Sequence, residues 1–110
     1  MKLLPSLKER HRYIVFEIKS EEKYTFTEIK EEVERALLQF LGELGVAKAA
    51  PMFLKDKFHY EHQRFILKIS PTMVDEVKTA LTLSKKIKKT PIIIHSITMS
   101  GTLKKASLTL

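Results

Sequence analysis

The 110 residues include no cysteine, only three glycines and four prolines, and no long hydrophobic run. The missing cysteines exclude disulfides, thiolate nucleophiles and cysteine-ligated zinc or iron–sulfur centres, and they fit a reducing compartment. Gly42, Gly45 and Gly101 are too scattered to form a Walker A loop, a GxGxxG fingerprint or a GxSxG elbow. His11, His59, His62 and His95 adopt no HExxH spacing with a carboxylate partner. No apolar stretch approaches the ~20 residues of a membrane-spanning helix, and the amino terminus lacks a signal-peptide core. The expectation is a cytoplasmic protein with no catalytic residues of its own, folded as a single domain over residues 1–110.

What is abundant is positive charge, and it is unevenly placed. The formal net charge is +7. Residues 1–45 carry 8 Lys/Arg against 9 Asp/Glu, whereas residues 46–110 carry 12 against 4. Such asymmetry predicts one face that meets a polyanion and another that does not.

Residues 1–12 read as an irregular basic arm, because Pro5 disfavours a regular start and Lys8, Arg10 and Arg12 follow it. Tyr13 to Ile18 is expected as a central strand, with Ile14, Phe16 and Ile18 on one side and Tyr13, Val15 and Glu17 on the other. Thr25-Phe26-Thr27-Glu28 has the spacing of a capping box, and Tyr24 with Ile29 would form its hydrophobic staple. Phe26, Ile29, Val33, Leu37, Phe40, Leu41 and Leu44 then recur at three- and four-residue steps, so a helix of about five turns is predicted. Its exposed side is acidic and should face away from nucleic acid. Gly42 suggests close backbone packing near the helix end, and Gly45 the residue that terminates it. Pro51 to Lys57 is a short strand candidate. In Arg64 to Ser70, Phe65, Leu67 and Ile69 alternate with Arg64, Ile66 and Lys68, which predicts another strand. Ser70-Pro71 opens a second helix running to about Ser84, with Lys85, Lys86, Lys88 and Lys89 at or beyond its carboxyl end. Ile92 to Met99 is the last strand, and Gly101 ends it.

The order strand, helix, strand, strand, helix, strand is the split βαβ pattern of ferredoxin-like folds, an α+β sandwich with two helices on one face of a four-stranded antiparallel sheet. The other face is expected to stay open and show Tyr13, Val15, Ile66 and Lys68. An open apolar face meets a terminal segment, a partner chain or a stacked base. Acylphosphatases share this order, but their glycine-rich loop after the first strand is absent from Lys19 to Lys23. RNA-recognition domains stack bases on aromatics of the third strand, and QRFILKIS has neither the glycine nor the alternating aromatics.

Three groups of residues form a candidate phosphate-binding set. They are Lys8, Arg10 and Arg12 of the arm, the cluster Lys85, Lys86, Lys88 and Lys89, and the turn Ser100, Gly101 and Thr102 with Lys104 and Lys105. Hydroxyls and backbone N–H groups in a tight glycine turn, with cations beside them, suit phosphate. The three groups are expected to join into one continuous track.

The segments LLPSLKERHRYIVFEI, LLQFLGELGVAKA and SITMSGTLKKA, in this order, resemble the Pop5 family of archaeal RNase P protein component 2. The resemblance covers nearly the whole chain. It implies a noncatalytic subunit of ribonuclease P that binds and stabilises the catalytic domain of the RNase P RNA for 5′ maturation of precursor tRNA. The RNA would hold the Mg2+ and cleave, and this chain would need no cofactor. The implied protein partner is Rpp30, in a dimer of heterodimers. The alternatives are a generic RNA-binding or ribosomal protein, and a small-molecule regulatory module of the ACT type with the same element order.

Overall fold

The computed structural model describes residues 10–110. Strand β1 covers Arg12–Lys19. Helix α1 covers Phe26–Ala49. The short strand β2 is Met52–Phe53, and β3 is Arg64–Ile69. Helix α2 spans Val74–Thr82 after a 3-10 turn at Pro71–Met73. A hairpin of β4 (Lys86–Ile87) and β5 (Thr90–Pro91) leads into β6, Ile93–Ser100, and helix α3 covers Leu103–Ser107. The main sheet is antiparallel in the order β2-β3-β1-β6. With α1 and α2 on one face, this is the ferredoxin-like sandwich the element order predicts.

Alternation sorts the side chains as expected. Ile14, Phe16 and Ile18 of β1 and Phe65, Leu67 and Ile69 of β3 enter one core with Ile29, Val33 and Leu37 of α1 and Val77 and Leu81 of α2. The Thr25 hydroxyl accepts from the Glu28 N–H while the Glu28 carboxylate accepts from the Thr25 N–H. Both halves of the capping box are therefore made, and Tyr24 and Ile29 are buried beside it.

Four expectations are corrected. Arg12 belongs to β1 and not to an irregular arm. Gly42 has φ 72° and ψ 172°, which breaks α1 into two helical pieces, and a Cβ built there would touch nothing within 4 Å. The close approach is at Gly45 instead, where a Cβ would lie 2.8 Å from the Leu41 Cβ, and the helix runs on to a left-handed Ala50. The second helix ends at Thr82, short of Ser84, and the lysines beyond it form a hairpin that was not expected.

The fourth correction concerns the sheet's second face, which is closed. α3 and the last residues fold back over it, so that Val15 and Ile66 are fully buried with Ala106, and Tyr13, Leu54, Ile97, Leu103 and Leu110 pack around them. Of the three possible covers, the chain's own terminal segment takes the place. Arg64 fastens it, donating to the Thr109 carbonyl at 2.6 Å and to Glu17 at 2.8 Å.

Candidate nucleic-acid interface

Register places the candidate residues. β1 and β6 are antiparallel, so the start of one lies beside the end of the other: Tyr13 pairs with Ser100 on one side and with Lys68 on the other. Arg12, Lys68 and the turn at Ser100 to Thr102 thereby lie at one end of the sheet, Arg12 on the face of Ile14 and Ile69 and Lys68 on the face of Tyr13 and Ile66. A Cβ built at Gly101 would sit 3.9 Å from an Arg12 guanidinium nitrogen, an ordinary contact, so the turn and the arginine are neighbours. Arg10 is at the same end, lining a cleft with Lys48, Ser70 and Pro71. Lys104 and Lys105 are exposed on α3, whose Ala106 points inward. Lys8 lies outside the described residues.

The turn is built by its own hydroxyls. Ser100 Oγ accepts from the Thr102 N–H at 3.2 Å, and Thr102 Oγ1 caps α3 by accepting from the Lys105 N–H at 3.4 Å. Those two N–H groups are thus committed internally, and the hydroxyl hydrogens, the Gly101 backbone and the lysines are what the turn can present to a ligand. Lys68 is a member that sequence reasoning placed on the outer face without joining it to the set. Its place on the same side of β3 as Ile66 was the available signal, and its neighbours across the sheet were not.

Lys85, Lys86, Lys88 and Lys89 are elsewhere. Ile92 donates to the Lys85 carbonyl, and Ile93 pairs with Lys19 at the far end of β1. Seven residue steps along β1 put that end about 23 Å from Arg12. The hairpin folds against the first half of α1, where Lys88 pairs with Glu28 at 2.5 Å. The pairing raises the Lys88 pKa above its ordinary value and lowers that of Glu28. The acidic flank of α1 is thereby partly neutralised by the chain itself. The single track expected from sequence does not form; there are two separate basic surfaces.

Among the described residues no helix is long and apolar enough to cross a membrane. His59 and His62 stack at 4.2 Å between ring centres, and the His62 N–H donates to His59 Nδ1.

The chain has relatives of known name. It is 37% identical over 103 residues to ribonuclease P protein component 2 of Thermococcus gammatolerans, covering 94% of this chain and 84% of that one. Against the protein of the same name from Pyrococcus furiosus the identity is 39%, with 94% and 84% covered. For that of Methanocaldococcus jannaschii it is 33%, with 96% and 76% covered. A chain in the cryo-EM structure of yeast ribonuclease MRP has the same fold, with a TM-score of 0.68 over 93% of this chain and 86% of that chain, at 12% identity. The profile of the Rpp14/Pop5 family matches residues 12–110, from the first residue of β1 through α3, and the chain belongs to that family.

Proposed function

We propose that this chain is a noncatalytic protein subunit of ribonuclease P, which binds the catalytic domain of the RNase P RNA and stabilises it for 5′ maturation of precursor tRNA. The observation that carries the reading is the meeting of Arg12, Lys68 and the Ser100–Gly101–Thr102 turn at one end of the sheet, with Lys104 and Lys105 exposed on the helix that follows, in a chain whose relatives bear that name. Folding an RNA domain crowds phosphates, and fixed cations offset the repulsion and release condensed counterions. The Mg2+ belongs to the RNA, so the protein lowers the magnesium needed and does no chemistry itself. Rpp30 is the protein partner, in a dimer of heterodimers, in a cytoplasmic particle. Arg10, Arg12, Ser100, Gly101, Thr102, Lys104 and Lys105 touch the RNA, and so does Lys8, which lies outside the described residues. The Lys85 to Lys89 hairpin, about 23 Å away, is a separate surface.

Reconstitution tests this. With Rpp30 and the RNase P RNA, the chain raises precursor-tRNA cleavage at low magnesium. Neutralising Lys104 and Lys105 with glutamine reduces the slope of log affinity for RNA against log salt by up to ~0.9 for each phosphate no longer neutralised. No gain in cleavage would reject the subunit reading, and an unchanged slope would reject this end of the sheet as the RNA-binding surface. Stabilisation by a small molecule with no RNA present would favour the regulatory module instead.

A further inference from the structure

With the second sheet face closed, large apolar groups remain exposed along the helix layer. Phe40 is 41% exposed, Leu83 45% and Leu44 71%. Phe40 and Leu83 belong to a groove of about 810 Å3 between α1 and the lysine hairpin. They also line a second one of about 340 Å3 between α1 and α2, with Leu41 and Ala80. The two adjoin at Phe40 and Leu83, which line both, and make one channel with lysines along one part and carboxylates along the other. Lys85, Lys86 and Lys89 stand at the hairpin end and form no ion pair among the described residues. Asp75 and Glu76 stand at the other. Glu32, within the hairpin half, is occupied by Arg35 and by the Ser84 hydroxyl.

We propose that this channel docks an amphipathic helix of a protein partner, with carboxylates on the end that meets Lys85, Lys86 and Lys89 and cations on the end that meets Asp75 and Glu76. The inference rests on the subunit reading above and gives the partner its surface. A helix lays an apolar stripe into such a groove and carries charges of both signs along its length. A polyanion gains at the lysine end and is repelled at Asp75 and Glu76, and phosphates have no use for a floor of phenylalanine and leucine. Two-ended charge complementarity therefore favours a helix over RNA. The lysine end of the channel is the one remote from Arg12, whereas Asp75 and Glu76 sit in the first turn of α2, a few residues after Ser70.

The test is titration of the wild-type chain and its variants with Rpp30 and, separately, with RNase P RNA. Phe40→Ala, at an exposed position that leaves the melting temperature in place, weakens Rpp30 binding about tenfold or more, as removal of a central aromatic anchor does. The triple reversal Lys85→Glu, Lys86→Glu, Lys89→Glu weakens it further at low salt than at high. Neither variant changes the salt slope for RNA. Wild-type binding that Phe40→Ala leaves intact overturns the channel as the dock. A lower RNA slope in the triple variant makes the hairpin a nucleic-acid surface instead. A wild-type dimer that Phe40→Ala dissociates puts a second copy in the channel and overturns the proposal. If wild-type chain ignores Rpp30, the subunit reading fails. The channel is then judged by a leucine-striped helical peptide, glutamate-rich in one half and lysine-rich in the other, which must bind wild type and not Phe40→Ala.

Discussion

Glu17 ties three parts of the molecule together. It sits on β1, accepts from the Arg64 guanidinium of β3 at 2.8 Å, and shares a hydrogen bond of 3.0 Å with His95 of β6, while Arg64 also holds the Thr109 carbonyl. The Arg64 hydrogen bond holds the Glu17 carboxyl below its ordinary value of 4.5, against the opposing effect of burial and with help from His95. A carboxylate whose pKa is depressed on folding contributes stability that is complete above the unfolded value and fades as pH falls through the folded one. Glu17→Gln should therefore cost about 1–2 kcal/mol at neutral pH, and the gap to wild type should narrow as the pH drops below the ordinary carboxylate range. Urea midpoints taken from pH 7 downward check this. A gap of constant size would mean that the charge, and with it the Arg64 pairing, contributes nothing.

At the scale of elements, α1 shows where local rules hold and where they give out. Its start was legible because four consecutive residues, Thr25 to Glu28, contain the whole capping box. Its break was not, because a stripe of Phe40, Leu41 and Leu44 continues past Gly42 as if the helix were straight. The conformation at Gly42, φ 72° with ψ 172°, is one that essentially only glycine adopts. Propensity alone predicts that Gly42→Ala gains about 1 kcal/mol. The break predicts the opposite sign, a loss of about 1–3 kcal/mol, with no clash to blame because space around the Cβ is open. Thermal melting of that one variant decides between them. α3 escaped for another reason: five residues are too few to show a period, and its cap Thr102 reads equally well as part of a ligand-binding turn. The hairpin after α2 lacks the asparagine and glycine that advertise one, since Lys88 and Lys89 adopt positive φ of 55° and 99° themselves. The strands were legible through alternation. The grouping of the basic residues was not, because it depends on which strand ends meet, and no short window of sequence contains that.

For the molecule as a whole, α3 makes a two-layer sandwich into a three-layer one, and the consequence is energetic. Val15 and Ile66 lie in the middle of the sheet and are completely covered only because Ala106, Leu103 and Leu110 lie over them. Covering side chains of that size is worth roughly 1.5–3 kcal/mol each, so losing the cover costs about 3–6 kcal/mol. A domain of this size has a total stability of about 5–15 kcal/mol. Ending the chain after Thr102 should thus bring it close to the threshold of folding, through exposed β-branched surface and a released Arg64, with no side chain of the α1–α2 core altered. Denaturant titration of the shortened chain would find a midpoint far below wild type and binding of a hydrophobic dye without denaturant. A stability within about 1 kcal/mol of wild type would mean that the last residues rest on the sheet without holding it. Ala106→Glu is the companion, since it places a carboxylate against Val15 and Ile66 and should open the same face while leaving Lys104 and Lys105 in the chain. If the shortened chain is destabilised and Ala106→Glu is not, the cover is held by the Arg64 to Thr109 bond and not by apolar packing. The same helix that closes the sheet also carries two of the cations assigned to RNA, so conditions that lift it should cost stability and RNA affinity together.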